Sequence, residues 1–305
     1  MPLALPDDIR VFERGWLSSN QVLFLASDAN TLVDSGYASH AEQTCQLIQA
    51  ALADEPLHQL INTHLHSDHC GGNAALQTIW PHVKTLIPPG LADSVRAWDR
   101  VSLSYEPTGQ QCPAFRFDAT LKPGSKVRCG LRDLRVFAAP GHDPHAVVVF
   151  EPELGLLLSA DALWENGFGV VFPQLDGDDG FEEVAQTLDL IESLPVKAVI
   201  PGHGAPFTDV QGALQRARSR LNKYREDPIF HARYAAKVLI KFRLLELQRD
   251  TLDHLMAWLY HTPYFRSLHN RFFEATPWAA WTEELLRDLQ RAGALEMRDS
   301  LVQNI

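Results

Sequence analysis

Three imidazoles and a carboxylate fall within six residues of one another in Asn62-Thr63-His64-Leu65-His66-Ser67-Asp68-His69-Cys70-Gly71-Gly72-Asn73. A fold that encloses such a cluster must pair it or bind something with it, because buried polar groups without partners are costly. The cluster follows a strand-like run, Leu57 to Ile61, and precedes a helix-like one. In an extended segment His64 and His66 project to the same side and can reach one cation. Asp68 and His69 lie at the turn beyond and can address a second. The two glycines let the backbone bend closely there. Nitrogen and oxygen donors without thiolates suit zinc, and also iron or manganese.

Four donors cannot complete two metal sites, so other strand ends must supply the rest. Ala139-Pro140-Gly141-His142-Asp143 places a histidine in a tight turn before the strand Val147 to Phe150. Leu158-Ser159-Ala160-Asp161 ends a strand on a carboxylate, and Val199-Ile200-Pro201-Gly202-His203-Gly204 ends another on a histidine. Each repeats one pattern: apolar strand, small or turn residues, then a ligand type. The expected metal set is His64, His66, Asp68, His69, His142, Asp161 and His203, with Asp68 and Asp161 also catalytic. His58, His82 and His254 read as surface or core histidines, Cys70 as a small apolar filler, and His145 as a neighbour of the site or its substrate.

The first two thirds of the chain alternate short apolar runs (Val22 to Ala26, Thr31 to Asp34, Leu156 to Leu158) with amphipathic stretches at Ala41 to Leu52, Gly72 to Trp80 and Phe181 to Leu194. That mixture predicts an α+β domain over residues 1–220. After Arg216 the texture becomes helical, with stretches at Tyr234 to Arg249, Thr251 to Leu259 and Trp278 to Arg291. Thr251 and Thr276 are candidate caps or helix-entry residues, and Ala294 to Leu301 a short ribbon after Gly293. The second domain is expected at 221–305. Residues 216–305 hold 15 Lys+Arg against 11 Asp+Glu, whereas the whole chain carries a net charge of -11. That balance excludes a whole-protein grip on nucleic acid. Four cysteines in 305 residues without a CxxC pair, no membrane-length apolar run and no secretory signal at Met1–Asp8 predict a cytoplasmic protein with no membrane partner.

His64-x-His66-x-Asp68-His69 followed by His142, Asp161 and His203 resembles the metallo-β-lactamase-fold hydrolase superfamily, over about residues 10–207. Asp34 in Leu32-Val33-Asp34-Ser35-Gly36 stands where that family carries an early Asp-Thr/Ser-Gly turn. The resemblance implies a four-layered αββα sandwich with two metals at one edge. One would take His64, His66 and His142, the other Asp68, His69 and His203, with Asp161 bridging and Asp34 holding the histidine loop. Two such ions sharing a hydroxide would cleave a thioester or related ester of a small molecule.

Within the family, Asp161 counts against antibiotic hydrolysis and His66 against the flavo-diiron branch. Trp164, where lactone-cleaving members carry tyrosine, counts against lactonase. The glyoxalase II-like ligand set stays open, as does a mononuclear iron sulfur dioxygenase. Residues 221–305 resemble the small winged-helix-like extension of one group that includes an endoribonuclease, so nucleic acid phosphodiesters remain an alternative substrate. The loop Trp164 to Pro173 is a candidate pocket wall for an apolar acyl group. No GxSxG elbow and no P-loop is present.

Overall fold

A computed structural model of the chain describes residues 5–53 and 55–305; residues 1–4, part of the segment read for a secretory signal, lie outside them. Residues up to Leu103 and Gln111–Asn222 form one compact unit. Ser104–Gln110 and Lys223–Ile305 form a second.

The first unit is built on two sheets. One runs, in spatial order, β1 (Ile9–Phe12), β2 (Gln21–Phe24), β3 (Thr31–Val33), β4 (Gln59–Ile61), β5 (Lys84–Ile87) and β6 (Ala119–Thr120). Its first three strands are antiparallel and its last four parallel. The other sheet has the order β11-β10-β9-β8-β7, comprising β7 (Lys126–Cys129), β8 (Arg132–Ala138), β9 (Val147–Glu151), β10 (Leu156–Ala160) and β11 (Ala198–Pro201).

Alternation along the strands explains why the sheets face each other. Val22, Phe24, Val33 and Ile61 of the first sheet share a core with Val127, Leu134, Val147, Val149, Leu158 and Ile200 of the second. The residues between them, Leu23, Leu32 and Leu60, turn to the opposite face. There they meet Cys45, Ile48 and Leu52 of α1 (Ala41–Leu52) and Leu76, which lies beyond the short α2 (Ser67–Cys70) on α3 (Asn73–Ile79). Period two in the strands and period 3.6 in α1 thus meet in one layer. The helices α4 (Ala92–Ala97) and α5 (Tyr105–Thr108) follow, α5 belonging to the second unit.

In the second sheet Val148, Phe150, Leu157 and Val199 are buried on the outer side. Beyond α6 (Phe172–Asp176), α7 (Gly180–Ser193) buries Phe181, Val184, Leu188 and Ile191. Thr187 Oγ1 ties α7 to the β8–β9 turn, donating to the Pro140 carbonyl at 2.7 Å. Two sheets with helices outside make the expected αββα sandwich. The β7–β8 hairpin is an element that the sequence reading did not predict.

A long helix, α8 (Val210–Glu226), spans the division between the units and leads into α9 (Pro228–Leu247). The second unit continues with β12 (Arg249–Thr251), α10 (Leu252–His261), α11 (Pro263–Phe272), α12 (Trp278–Arg291), β13 (Leu295–Arg298) and β14 (Leu301–Asn304). The strands make a small antiparallel sheet, β12-β14-β13. Thr251 caps α10 by accepting from His254 N at 3.2 Å, as its position predicts. Thr276 stands at the entry to α12, one residue before Pro277, which takes the cap position. The helix predicted from Tyr234 starts six residues earlier, where Asp227 accepts from Phe230 N and Pro228 fits the first turn. The ribbon reaches Asn304 rather than Leu301.

His231 is fully buried in the second unit, its ring 4.6 Å from that of Tyr224. Burial lowers its imidazole to about 3 from an ordinary 6.5. Between those values the unfolded chain binds a proton that the folded chain refuses. Stability therefore falls as pH drops from 6.5 towards 3, by up to ~1.4 kcal/mol per pH unit from this group. In urea unfolding across that range, H231F is expected to lose less stability on acidification than the wild type.

Candidate metal centre

The site begins with a backbone conformation. At the end of β3, Asp34 adopts φ +58°, a left-handed geometry that Asp tolerates better than most residues. Its buried carboxylate accepts from Thr63 N at 2.9 Å and Thr63 Oγ1 at 2.8 Å, and lies 2.7 Å from His69 Nδ1. Because β3 and β4 are parallel neighbours, Asp34 at one strand end meets Thr63 just past the other. Thr63 O in turn accepts from Val147 N at 2.9 Å, tying the two sheets at this end. Ser35, Asn62 and Asn73 hold the loop from behind, with Ser35 N and Asn62 Nδ2 both donating to His69 O at 2.8 and 3.1 Å. Any side chain at Gly72 would lie 2.4 Å from Ser35 O.

The structure gathers all seven sequence-predicted donors into two groups. His64, His66 and His142 form one, and Asp68, His69, Asp161 and His203 the other; within each, one donor atom per residue lies within 4.8 Å of the others. Asp161 lies between them. Its Oδ1 is 3.4 Å from His69 Nε2, and its Oδ2 is 3.4 Å from His142 Nε2 and 3.9 Å from His203 Nε2. A bulge between Leu158 and Ala160 in the β10–β11 pairing, with Ala160 at φ +46°, turns the chain here. Bulges of this kind re-aim side chains.

Ring nitrogens are assigned by their partners. His69 Nδ1 is held by Asp34, His64 Nδ1 lies 3.2 Å from Thr63 Oγ1, and His142 Nδ1 lies 2.6 Å from the Val170 carbonyl. That carbonyl can only accept, so His142 carries its proton on Nδ1 and turns a bare Nε2 inward, 2.8 Å from His66 Nδ1. The opposite atoms, His64 Nε2 and His69 Nε2, are buried with no hydrogen-bond partner. Unpartnered buried nitrogens converging with two carboxylates are what a cation requires.

The electrostatics agree. Burial pushes the His66 and His142 imidazoles down to about 4. It pushes His64 well below its ordinary value, with the adjacent His69 adding to the effect. Burial acts against His69 as well, but Asp34, Asp161 and Asp68 outweigh it and hold that ring well above the ordinary value. Against burial, His203 and His69 hold the Asp161 carboxyl well below the carboxylate range, and His69 and His203 lower Asp68. The carboxylates thus draw positive charge into a buried space. A divalent cation supplies it to neutral imidazoles, so the residues fit a metal pair.

Two contributors, Trp16 and Asn20, were not legible in sequence. Trp16 stacks on the His203 ring at 5.4 Å and 13°, and meets Trp164 edge-on at 5.3 Å. Trp164 Nε1 donates to Asp161 Oδ1 at 3.2 Å, so the residue that departs from the lactonase pattern still touches the shared carboxylate. Phe172 packs edge-on to His66 at 5.3 Å. These rings bring the 164–173 loop to the cluster, as predicted. Asn20 Nδ2 braces the His203 turn through the carbonyls of Pro201 and Gly204 at 3.0 and 2.7 Å. His145 is exposed, and Cys70 is buried with Sγ 3.8 Å from Cys112 Sγ.

Residues 14–203 match the family model of the metallo-beta-lactamase superfamily, and the chain belongs to that superfamily. It is similar to a hydroxyacylglutathione hydrolase of Nostoc sp., 29% identical over 182 residues, covering 58% of this chain and 61% of that one. The hydroxyacylglutathione hydrolase of Legionella pneumophila (strain Lens) is also 29% identical, over 46% of this chain and 44% of that enzyme. The chain thus spans about half to three fifths of the length of these relatives. Among solved structures, a metallo-beta-lactamase family protein from Thermus thermophilus shares the fold over 99% of this chain and 100% of its own, with TM-score 0.60 and 18% identity. A beta-lactamase domain protein from Burkholderia ambifaria does so over 99% and 95%, with TM-score 0.60 and 20% identity.

A Cβ at Gly202 would fall 2.2 Å from Asp161 Oδ1 and 3.0 Å from the Ala160 carbonyl carbon. G202A is expected to displace Asp161, lowering metal uptake and costing ~1–3 kcal/mol of stability through overpacking. Elemental analysis and thermal unfolding of the purified variant check both.

Proposed function

We propose that this chain is a metal-dependent hydrolase that cleaves a thioester or related ester bond of a small molecule. The observation that carries the reading is the pair of buried, unpartnered Nε2 atoms of His64 and His69, with one Asp161 oxygen facing each donor group. His64, His66 and His142 would hold one cation, Asp68, His69 and His203 a second, and Asp161 would contact both. The all-nitrogen-and-oxygen donor set favours zinc. When bound, such a pair polarises a carbonyl and acidifies a water at neutral pH.

The chain's own groups have separable roles. Asp34, Thr63 and Val170 fix the tautomers of His69, His64 and His142, so bare nitrogens face inward. Asp68 is the carboxylate of the cluster most open to solvent, with its side chain 14% exposed, and it stays ionised because His69 and His203 oppose burial. Asp68 Oδ2 is therefore suited to take a proton from an attacking water. Trp16, Trp164 and Phe172 provide apolar walls for an acyl or leaving group and limit water beside it. The similarity to hydroxyacylglutathione hydrolases supports a thioester.

The phosphodiester alternative needs cations free to meet phosphates. In the second unit Arg233 is paired with Glu284 and Asp288, Arg287 with Glu283, Arg291 with Asp288 and Arg298 with Glu296. Lys241 Nζ donates to two carbonyls and to Asn304 Oδ1. This internal neutralisation favours a small-molecule substrate.

Elemental mass spectrometry of protein purified without chelators is expected to find about two zinc per chain, with hydrolysis in a panel of acyl thioesters. D161A should lose metal and reduce turnover by at least about a hundredfold. One iron per chain with oxygen uptake on a persulfide would replace this reading with sulfur oxygenation.

A further inference from the structure

Asp161 faces both donor groups, and the torsion that sets the plane of a carboxylate has no sharp minima of its own. Its orientation is therefore set by its partners. One of them, Trp164, is not itself a candidate ligand: its Nε1 donates to Asp161 Oδ1 at 3.2 Å. The rings of Trp16 and His203 meet the Trp164 indole edge-on, with centroids at 5.3 and 5.6 Å. Edge-on pairs are satisfied over centroid distances of about 4.5–7 Å, so they fix the tilt of the indole better than its position. Where the N–H sits along that plane depends on the backbone that carries it.

That backbone is a short turn. It closes on a hydrogen bond from Trp164 N to Gly167 O at 2.7 Å, and Glu165 and Asn166 at its tip are exposed. The carbonyls on either side of Gly167 are taken by α8. Arg216 Nε donates to Glu165 O at 2.7 Å, and Arg220 Nη1 donates to Phe168 O at 3.3 Å. Four residues apart, the two arginines share one face of the helix, while Ala213, Leu214, Ala217 and Leu221 are buried. Asp209 Oδ2 braces Arg216 at 3.2 Å from Nη1. Arg220 lies flat against Gly167, where a Cβ would fall 2.6 Å from Cζ and 2.7 Å from both Nε and Nη1. Gly167 also has φ +122°, which only glycine adopts readily. Arg218, between them in sequence, turns to α7 and pairs with Asp189 and Glu192.

We infer that Arg216 and Arg220 are positioning residues for Asp161: gripping the 164–168 turn from α8, they keep the indole N–H of Trp164 on that carboxylate. A guanidinium stays charged at any working pH, so the grip does not depend on the state of the imidazoles. The consequence for an ion rests on the reading that Asp161 contacts one; the consequence for the indole does not.

The test compares the full chain as wild type, W164F, R216A/R220A, W164F/R216A/R220A and R216K/R220K. In proton–nitrogen spectra, the indole signal missing from W164F reports the Trp164 N–H. It is expected to shift in R216A/R220A and to exchange faster with water. A signal unmoved by R216A/R220A would overturn the inference. Zinc affinity, read by chelator competition, is expected to fall about tenfold in W164F and in R216A/R220A alike, the lower end for partners that orient a ligand. Adding R216A/R220A to W164F should then cost no further affinity. R216K/R220K, which restores a donor at each place, is expected to recover most of the loss. Losses that multiply in W164F/R216A/R220A would overturn the inference and assign the arginines to the general stability of helix and loop. If wild type binds no zinc, the metal reading falls, and the indole signal alone decides whether the arginines hold Trp164 in place.

Discussion

The Asp34 carboxylate is the interaction on which the rest of the site depends. Burying an anion is costly unless it is fully hydrogen-bonded, and Asp34 also bears a left-handed backbone angle. Thr63 N, Thr63 Oγ1 and His69 Nδ1 offset both costs. Asp34 and these partners lie on three pieces of chain that meet only because β3 and β4 pair in parallel and the histidine loop folds back into α2. One buried charge thereby sets strand order, loop path and the direction of His69. The remaining donors then arrive from the ends of β8, β10 and β11.

Most of the site was legible in the sequence because its residues sit in local patterns: a dense histidine cluster, and ligands placed just after apolar strands. The limits of α1 and α12 were legible for the same reason, since their apolar spacing is strong and their ends are marked. What was not legible depends on distant partners. Trp16 lies on an irregular loop, and only the fold lays it on His203. Asn20 acts on carbonyls more than 180 residues away. The β7–β8 hairpin was missed because Lys126, Arg128, Asp133 and Arg135 crowd its outward positions and mask the alternation of Val127, Leu134 and Val136. α11 was missed because its polar face, with Arg266, Ser267, Asn270 and Arg271, dilutes the apolar spacing of Tyr264, Phe265 and Leu268.

The modest basic excess of the C-terminal part takes on a different meaning in three dimensions. Arg233 bridges α9 to α12 through Glu284 and Asp288, and Lys241 joins α9 to the end of the ribbon. These charges hold secondary elements together within one unit. A sequence count sees net charge; the fold shows which groups that charge engages.

The two sheets meet through aliphatic and aromatic side chains, whose attraction has magnitude but little direction. Such a contact resists separation far better than it resists sliding. The donor cluster, by contrast, is directional and draws on both layers: His64, His66 and His69 from one, His142, Asp161 and His203 from the other. It therefore works as a caliper across the sandwich. Substitutions deep in the shared core, at Val127 or Leu134 for instance, would be read at the far edge as a change in donor spacing even where total stability barely moves.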